Sequence, residues 1–206
     1  MKFDKTNMFN IIVILSLVII FLLYLIMGVI INKGTIKEKE MIRQNYKEMT
    51  KQKYEKKIIE FKNSMIDSLY YLKSNIDPEI STKIINSIIK NANKNNIPPL
   101  LILCLIFQES SFNHMAHNDY GAIGLMQIVP KYHEEKIKNH DIEINELYYI
   151  DNNITIGTLI LKEYFNKSEN IVKALQKYVG ASVKSNASKY IENILNSYIT
   201  LQLKFF

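Results

Sequence analysis

The sequence predicts an all-α fold with one added transmembrane helix. Apolar residues recur at three- and four-residue steps over most of the chain, and no long segment alternates apolar and polar residues. The first pattern is the period of an amphipathic helix, whereas the strands of a half-exposed sheet would alternate with a period of two. A separate, unbroken apolar run near the amino terminus predicts the helix that crosses the membrane.

This apolar run extends over residues 11–31, with no charge between Lys5 and Lys33. A helix of this length, at about 1.5 Å per residue, spans roughly 30 Å, the thickness of a bilayer core. A cleaved signal peptide would have a shorter apolar core that ends at a small-x-small site, and no such site follows Met27. We therefore expect a short N-terminal tail over residues 1–10 and an uncleaved transmembrane signal anchor over residues 11–31.

The charges around the anchor favour a cytoplasmic domain. Two lysines and the amino terminus precede the span, and five basic residues follow it within residues 33–47, so the positive-inside rule keeps the C-terminal part in the cytoplasm.

The formal net charge of +6 comes mostly from lysines scattered among Glu and Asn, without zinc-finger spacing. We therefore expect no nucleic-acid partner, and a basic surface outside the membrane would suit anionic wall polymers or lipid head groups.

After the anchor, the chain is expected to form a helical stalk over residues 32–76 and a globular domain over residues 77–206. The stalk is rich in Lys, Glu, Gln and Asn and contains no proline, and we expect it to be dispensable for chemistry. Its far half carries apolar residues at three- and four-residue steps and is expected to pack on the domain or on a second copy of the chain. Asp77-Pro78 marks the boundary, because Asp is a common N-cap and Pro suits the first helical position. Further helices are expected from Pro98-Pro99 to Glu109 and over residues 151–165, 170–179 and 184–203.

The sequence offers little for a metal, a cofactor or a cysteine nucleophile. Cys104 is the single cysteine and has leucine neighbours, which predicts a buried thiol and no disulfide. Histidines 114, 117 and 133 and Asp119 lie in polar segments without a Glu or Cys that would complete a tetrahedral set. We expect neither a metal nor a cofactor.

The most informative segment is an acid that follows an apolar helix and precedes a glycine-bearing turn. Glu109 follows the apolar run that begins at Leu100, and Gly121 and Gly124 come shortly after it. Burial at the end of a helix raises the pKa of a carboxyl group, because desolvation disfavours its charged form. Such an acid can donate a proton to a leaving group near neutral pH.

Four motifs in this region resemble those of the lytic transglycosylase and goose-type lysozyme superfamily, whose domain is abbreviated SLT. In chain order they are Glu109-Ser110-Ser111-Phe112, Gly124-Leu125-Met126-Gln127, Asn153-Ile154-Thr155-Ile156-Gly157 and Tyr178-Val179-Gly180. The resemblance covers about residues 80–200 and implies an all-α, lysozyme-like transglycosylase domain. One departure is that Val179 stands where the family usually has Asn, which puts the substrate contacts of that Asn in doubt.

The resemblance implies an enzyme that cleaves the β-1,4 bond between MurNAc and GlcNAc in peptidoglycan glycan strands. Glu109 would be the single acid/base: it would protonate the glycosidic oxygen and then accept the proton of the attacking 6-hydroxyl. The product would carry a 1,6-anhydro-MurNAc end. Tyr178 would bind substrate and orient the Glu109 carboxyl. The further substrate-binding residues would be Ser110, Gly124, Met126 and Gln127.

Two alternative functions remain open at this point. A muramidase would hydrolyse the same bond, but Asp119, Glu134, Glu135 and Asp141 lie in polar stretches and are weak candidates for the second carboxylate that most glycosidases need. A non-catalytic, glycan-binding component of a wall-spanning apparatus would suit the stalk, through which the chain could self-associate or bind cell-envelope machinery.

A wall-cleaving domain must lie outside the cytoplasm. The motifs therefore predict a single-pass protein of the inner membrane with an extracytoplasmic domain, against the charge count.

Overall fold

The computed structural model describes residues 5–180 and 187–206 and divides the chain into two units, Met1–Ile58 and Ile59–Phe206. The described residues form helices and contain no strand beyond two isolated bridges, which join Ile123 to His117 and to Ile128. The expected all-α class is thereby confirmed. The α-helices are α1 (Lys5–Leu72), α2 (Pro78–Asn95), α3 (Pro99–Ser110), α4 (Glu134–Lys138), α5 (Ile150–Asn166), α6 (Ile171–Val179) and α7 (Ala187–Phe205).

The start of α2 and the bounds of α3, α5 and α6 agree with those expected from the sequence to within a few residues. Asp77 caps α2 as expected, since its Oδ1 accepts the backbone N–H groups of Glu79 at 2.8 Å and Ile80 at 3.0 Å. Helix α4 and two 3₁₀ segments, Pro130–Tyr132 and Ile144–Tyr148, were not expected, because such short turns carry too few residues to show a period. Residues 1–4 of the expected tail and 184–186 of the expected last helix lie outside the described residues.

The first unit consists of the N-terminal part of α1. Apolar side chains from Val18 to Ile31 are exposed throughout, and this part of the helix is long and apolar enough to cross a membrane. Such a run of exposed Leu, Ile, Val and Phe would be unfavourable in water, where each would leave apolar surface hydrated. The helix is therefore a candidate membrane anchor.

The second unit is built around α3. Seven consecutive residues of this helix, Leu100–Ile106, are buried, so all of its faces are covered by protein. Helices α2 and α7 pack directly on α3, and α5 packs on α2 and α6. A helix that is apolar on every side is stable in water only at the centre of a core. This central position fixes the place of Glu109, which lies in the last turn of α3.

The end of α1 belongs to the core of the second unit. Met65, Ser68 and Leu69 are completely buried, and the Phe61 and Phe206 rings lie 5.5 Å apart. The structure therefore differs from the expected stalk over residues 32–76, because the division between the units falls after Ile58. The apolar residues that gave the end of the stalk its helical period are the ones that pack into the domain.

Candidate active site

Glu109 opens onto a cleft of about 270 Å³ at the end of α3. The chain reverses direction directly after it, because Ser111 and Phe112 both adopt left-handed backbone conformations, with φ of 48° and 62°. Phe112 is buried, and its ring packs 5.7 Å from that of Phe107. Burial of this ring stabilises a turn that is otherwise unfavourable for residues other than glycine.

Burial raises the pKa of the Glu109 carboxyl to about 7, and interaction with the Tyr190 hydroxyl lowers it in part. The direction follows from desolvation, since a partly buried carboxylate loses hydration that its neutral form needs less. The group can therefore hold a proton at a pH well above the ordinary range of a carboxyl group. This is the protonation behaviour that a general acid requires.

Tyr190, on α7, is the phenol that faces this acid. Its hydroxyl is buried and has no hydrogen-bond partner of standard geometry among the described residues. It is nevertheless close enough to Glu109 to lower the pKa of the carboxyl. Burial, and then the nearby carboxylate, raise the pKa of the Tyr190 phenol above its usual range. The geometry is thus that of a loose contact which a small movement of either side chain would tighten.

Tyr178 also lines the cleft, but its hydroxyl donates to the backbone carbonyl oxygen of Met126 at 2.9 Å. The expectation that Tyr178 donates to Glu109 is corrected, because a phenol has one hydrogen and the Met126 carbonyl takes it. Burial, and then the nearby Glu109 charge, raise the pKa of Tyr178 well above its usual range. Tyr178 therefore stays neutral and joins α6 to the turn that contains Met126.

That turn is held by the buried side chain of Asn153 on α5. Its Oδ1 accepts the Met126 N–H at 2.7 Å, while its Nδ2 donates to the carbonyl oxygens of Ile123 at 2.9 Å and Leu147 at 2.8 Å. One side-chain amide thus satisfies three backbone groups in a buried place, where each would otherwise be costly. The Asn153-Ile154-Thr155-Ile156-Gly157 motif therefore positions the Gly124–Gln127 turn.

The structure corrects the roles expected for Gly124 and Met126. Gly124 is buried with φ of 74°, and an added Cβ would lie 2.2 Å from Asn153 Nδ2, so this glycine admits the Asn153 side chain and not a sugar. Met126 is completely buried, and its side chain fills the space left by Gly157. Its contribution to the site is its carbonyl oxygen, because its side chain cannot contact a glycan.

Gln127 lines the cleft. Its Nε2 donates to the Gly124 carbonyl oxygen at 3.0 Å, and its Oε1 accepts from Asn118 Nδ2 at 3.3 Å. The amide is therefore held in one orientation, with a second Nε2 hydrogen left over. Ser110 does not line the described cleft, and its hydroxyl donates to the Ile106 carbonyl oxygen at 3.2 Å within α3.

The remaining wall of the cleft contains residues to which sequence reasoning gave no role. Tyr120 and Tyr132 are exposed by 79% and 70%, and Lys131 Nζ lies 4.8 Å from the centre of the Tyr132 ring. The other lining residues are Asn118, Ala122, Val129 and Val179. Val179 presents an apolar surface where the related motif has an amide. Exposed aromatic rings beside a buried acid are suited to a ligand with both apolar faces and hydroxyl groups.

Glu109 is the sole carboxylate among the described residues that line this cleft. Asp119, Glu134, Glu135 and Asp141 are exposed, as expected. Among the histidines, His114 Nδ1 contacts the Tyr148 carbonyl oxygen at 3.2 Å and His117 Nδ1 contacts that of Met115 at 3.3 Å. Both of these loop histidines thus contact backbone carbonyl oxygens.

A helical domain with a partly buried acid at the end of its central helix is typical of lysozyme-like domains. The transglycosylase SLT domain model matches residues 86–194, slightly more than half of the chain, and the chain belongs to this family.

The fold is similar to that of the lytic transglycosylase Slt from Pseudomonas aeruginosa, solved as an inactive Glu-to-Gln mutant. The two structures superpose with a TM-score of 0.53 and 20% sequence identity, over 58% of this chain and 24% of that chain. At this identity the likeness shows a shared fold. This chain thus spans about a quarter of the length of its structural relative.

Proposed function

We propose that the protein is a membrane-anchored lytic transglycosylase that cleaves the MurNAc–GlcNAc β-1,4 bond of peptidoglycan with Glu109 as its single acid/base. The observation that carries this proposal is the partly buried carboxyl of Glu109, whose pKa is raised to about 7. It is the sole carboxylate among the described residues that line the cleft. Membership of the transglycosylase SLT family supports the substrate class. The structurally similar Slt was solved as an inactive Glu-to-Gln mutant, which fits a mechanism that depends on a glutamate.

In the proposed reaction, the protonated Glu109 gives its hydrogen to the glycosidic oxygen while the bond from that oxygen to C1 of MurNAc breaks. The 6-hydroxyl of the same MurNAc then forms a bond to C1, and its proton passes to the Glu109 carboxylate. The enzyme returns to its starting state, and the products are a GlcNAc hydroxyl and a 1,6-anhydro-MurNAc end. The reaction consumes no water and needs no second carboxylate, whereas most glycosidases use a pair of carboxylates.

The other cleft residues take supporting roles in this proposal. Tyr190 stabilises the carboxylate after the proton has left, because its neutral hydroxyl can donate to the charged form. The second Nε2 hydrogen of Gln127 can donate to an acetamido carbonyl. Tyr120 and Tyr132 offer exposed rings on which sugar faces can stack, with only two rotatable side-chain angles each to fix.

Digestion of purified sacculi by the full-length protein in detergent, followed by mass spectrometry of the fragments, tests the proposal. Anhydro ends are expected, and Glu109→Gln should reduce their rate of formation by roughly 10²–10⁴-fold. Asp119→Asn is the matched control and should stay within about two-fold of the parent, since it removes an exposed carboxylate of the same region. Reducing ends would instead identify a muramidase, and binding without cleavage would identify a glycan-binding module.

We further propose that α1 anchors the protein in the inner membrane by residues 11–31, that residues 32–58 act as a spacer, and that the domain lies outside the cytoplasm. The exposed apolar side chains of the N-terminal helix support the anchor. A domain that acts on the wall requires the outward orientation, although the flanking basic residues favour the opposite one. A reporter fused after Phe206 that is active only in the cytoplasm should stay silent, and a strong signal would reverse the orientation.

A further inference from the structure

The turn that follows Glu109 is held from outside the matched family domain by Lys73. This residue directly follows α1, and its Nζ donates to the Ser111 carbonyl oxygen at 2.8 Å. Lys73 lies before residue 86, where the match to the transglycosylase SLT domain begins. The contact thus comes from a residue outside the matched domain, at the junction between the N-terminal helix and the rest of the second unit.

The carbonyl that Lys73 binds belongs to an unfavourable piece of backbone. Ser111 caps α3 in the left-handed conformation, with its N–H donating to the Phe107 carbonyl oxygen at 2.9 Å, and Phe112 is also left-handed. Two consecutive non-glycine residues in this region cost on the order of 1–3 kcal/mol each. Such a turn persists only where surrounding groups hold it.

A lysine is well suited to hold this place. The last carbonyl groups of a helix have no partner within the helix, and the helix dipole makes that end negative. An ammonium group therefore gains both a charge-assisted hydrogen bond and a favourable dipole interaction. The backbone of Lys73 is also held in place, because its N–H donates to the Leu69 carbonyl oxygen at 2.9 Å and Leu69 is completely buried.

We propose that Lys73 is a positioning residue for the acid: by holding the Ser111 carbonyl, it fixes the last turn of α3 and with it the direction of the Glu109 side chain. Glu109 lies two residues before Ser111, so any relaxation of the left-handed turn displaces the backbone that carries the acid. The inference rests on the proposed function for its catalytic consequence. Its structural part, the restraint of the turn, can be measured separately.

The kinetic test uses the full-length protein in detergent with Lys73→Met, Lys73→Arg and the control Lys83→Met. Lys73→Met should lower kcat about ten-fold, the equivalent of one charge-assisted hydrogen bond, and leave KM within about two-fold. Lys73→Arg should restore kcat, because it keeps a charged donor. Lys83 pairs with Glu79 on the surface of α2 and should be neutral. Equal kcat for Lys73→Met and parent, or equal loss in the Met and Arg variants, would overturn the inference.

A second background tests the mechanism of the restraint. Glycine adopts a φ of 48° at little cost, so Ser111→Gly should make the turn less dependent on Lys73. In that background Lys73→Met should cost about two-fold or less, a coupling that a double-mutant cycle measures directly. The same ten-fold loss in both backgrounds would show that Lys73 does not act through the turn.

Hydrogen exchange separates this inference from the proposed function. The N–H groups of Ser111 and Asn113 donate to the Phe107 and Ser110 carbonyl oxygens within the turn. Lys73→Met should increase their exchange about ten-fold, while Lys73→Arg should not. An inactive parent with this exchange pattern would refute the proposed function alone. An active parent with unchanged exchange in Lys73→Met would refute the positioning role alone.

Discussion

The Tyr178 hydroxyl donates its hydrogen to the Met126 carbonyl oxygen across 2.9 Å. Tyr190 is therefore the phenol that interacts with the Glu109 carboxyl and lowers its pKa. The two tyrosines lie in the same cleft but act on different partners. Tyr178 joins α6 to the turn anchored by Asn153, whereas the Tyr190 hydroxyl has no standard partner among the described residues. Substitutions of the two should therefore have different consequences.

Tyr190→Phe should shift the pH dependence of kcat. The Tyr190 hydroxyl lowers the pKa of Glu109, so its removal raises that pKa above about 7. Because the general acid must be protonated, the limb on which activity falls with rising pH should move to higher pH. Tyr178→Phe should move this limb less and should instead lower the unfolding temperature, since it leaves the Met126 carbonyl unpaired. An unchanged limb in Tyr190→Phe would remove Tyr190 from the acid's surroundings.

Glu109→Gln should stabilise the protein at high pH although it strongly reduces turnover. The ordinary pKa of this carboxyl is 4.5 and the folded one is about 7, so between these values the native state holds a proton that the unfolded state has released. Stability therefore falls as the pH rises through this window. Glutamine cannot ionise, and the variant should exceed the parent by about 1–3 kcal/mol at pH 8 and match it near pH 4.

Unfolding by urea at the two pH values measures this difference. The exposed substitution Glu134→Gln serves as the control, because it changes a carboxylate that is not in the core. A variant that is equally destabilised at both pH values would mean that the parent gains no stability from keeping Glu109 neutral.

Gly124→Ala should unfold the cleft wall. An added Cβ would lie 2.2 Å from Asn153 Nδ2 and 2.7 Å from the Leu147 carbonyl oxygen, at a residue with φ of 74°. Displacement of Asn153 would leave several backbone groups unpaired, and the loss of stability should exceed about 3 kcal/mol. Gly121→Ala is the matched control: φ is 81°, but no atom lies within 4 Å, so only the backbone strain of about 1–2 kcal/mol is expected. Thermal unfolding of both variants gives the comparison, and equal losses would contradict the role of Asn153.

Truncation should show where the domain begins. A chain that starts at Ile59 keeps Met65, Ser68 and Leu69, which are completely buried, whereas one that starts at Asn75 loses all three. Loss of two large buried side chains should cost on the order of 4 kcal/mol or more, a large fraction of the stability of a small domain. Circular dichroism and urea unfolding should therefore find only the longer form cooperatively folded. A stable, active chain that starts at Asn75 would instead support the domain boundary expected at residue 77.

The parts of the fold that the sequence predicted are those controlled by local signals. Helix period, the Asp77 cap and the apolar run before Glu109 each depend on neighbouring residues, and the corresponding helices are present. The place of the boundary near residue 77 could not be read in the same way. An apolar stripe on a helix indicates that the helix packs against something but does not identify what it packs against. The stripe at the C-terminal end of α1 packs into the domain.

The site shows the same limit. Glu109 and Gln127 line the cleft, but the burial of Met126 depends on the missing side chain of Gly157, a residue on another helix. Tyr190 was missed because its hydroxyl reaches Glu109 only after α7 packs on α3. A usable signal was present nonetheless: Tyr190 shares a helical face with Ile194 and Leu201, and a buried tyrosine hydroxyl generally requires a polar partner.

Cys104 lies in the middle of α3 and is buried, and its surroundings raise the pKa of the thiol to about 12. A thiol in this state is almost entirely protonated at physiological pH, and maleimides and other alkylating reagents attack the thiolate. Because Cys104 is also the single cysteine of the chain, the natural protein should not react with such reagents. New cysteines can therefore be introduced one at a time along α1, and reagents that do not cross membranes will report which positions face each side, without first removing a native thiol.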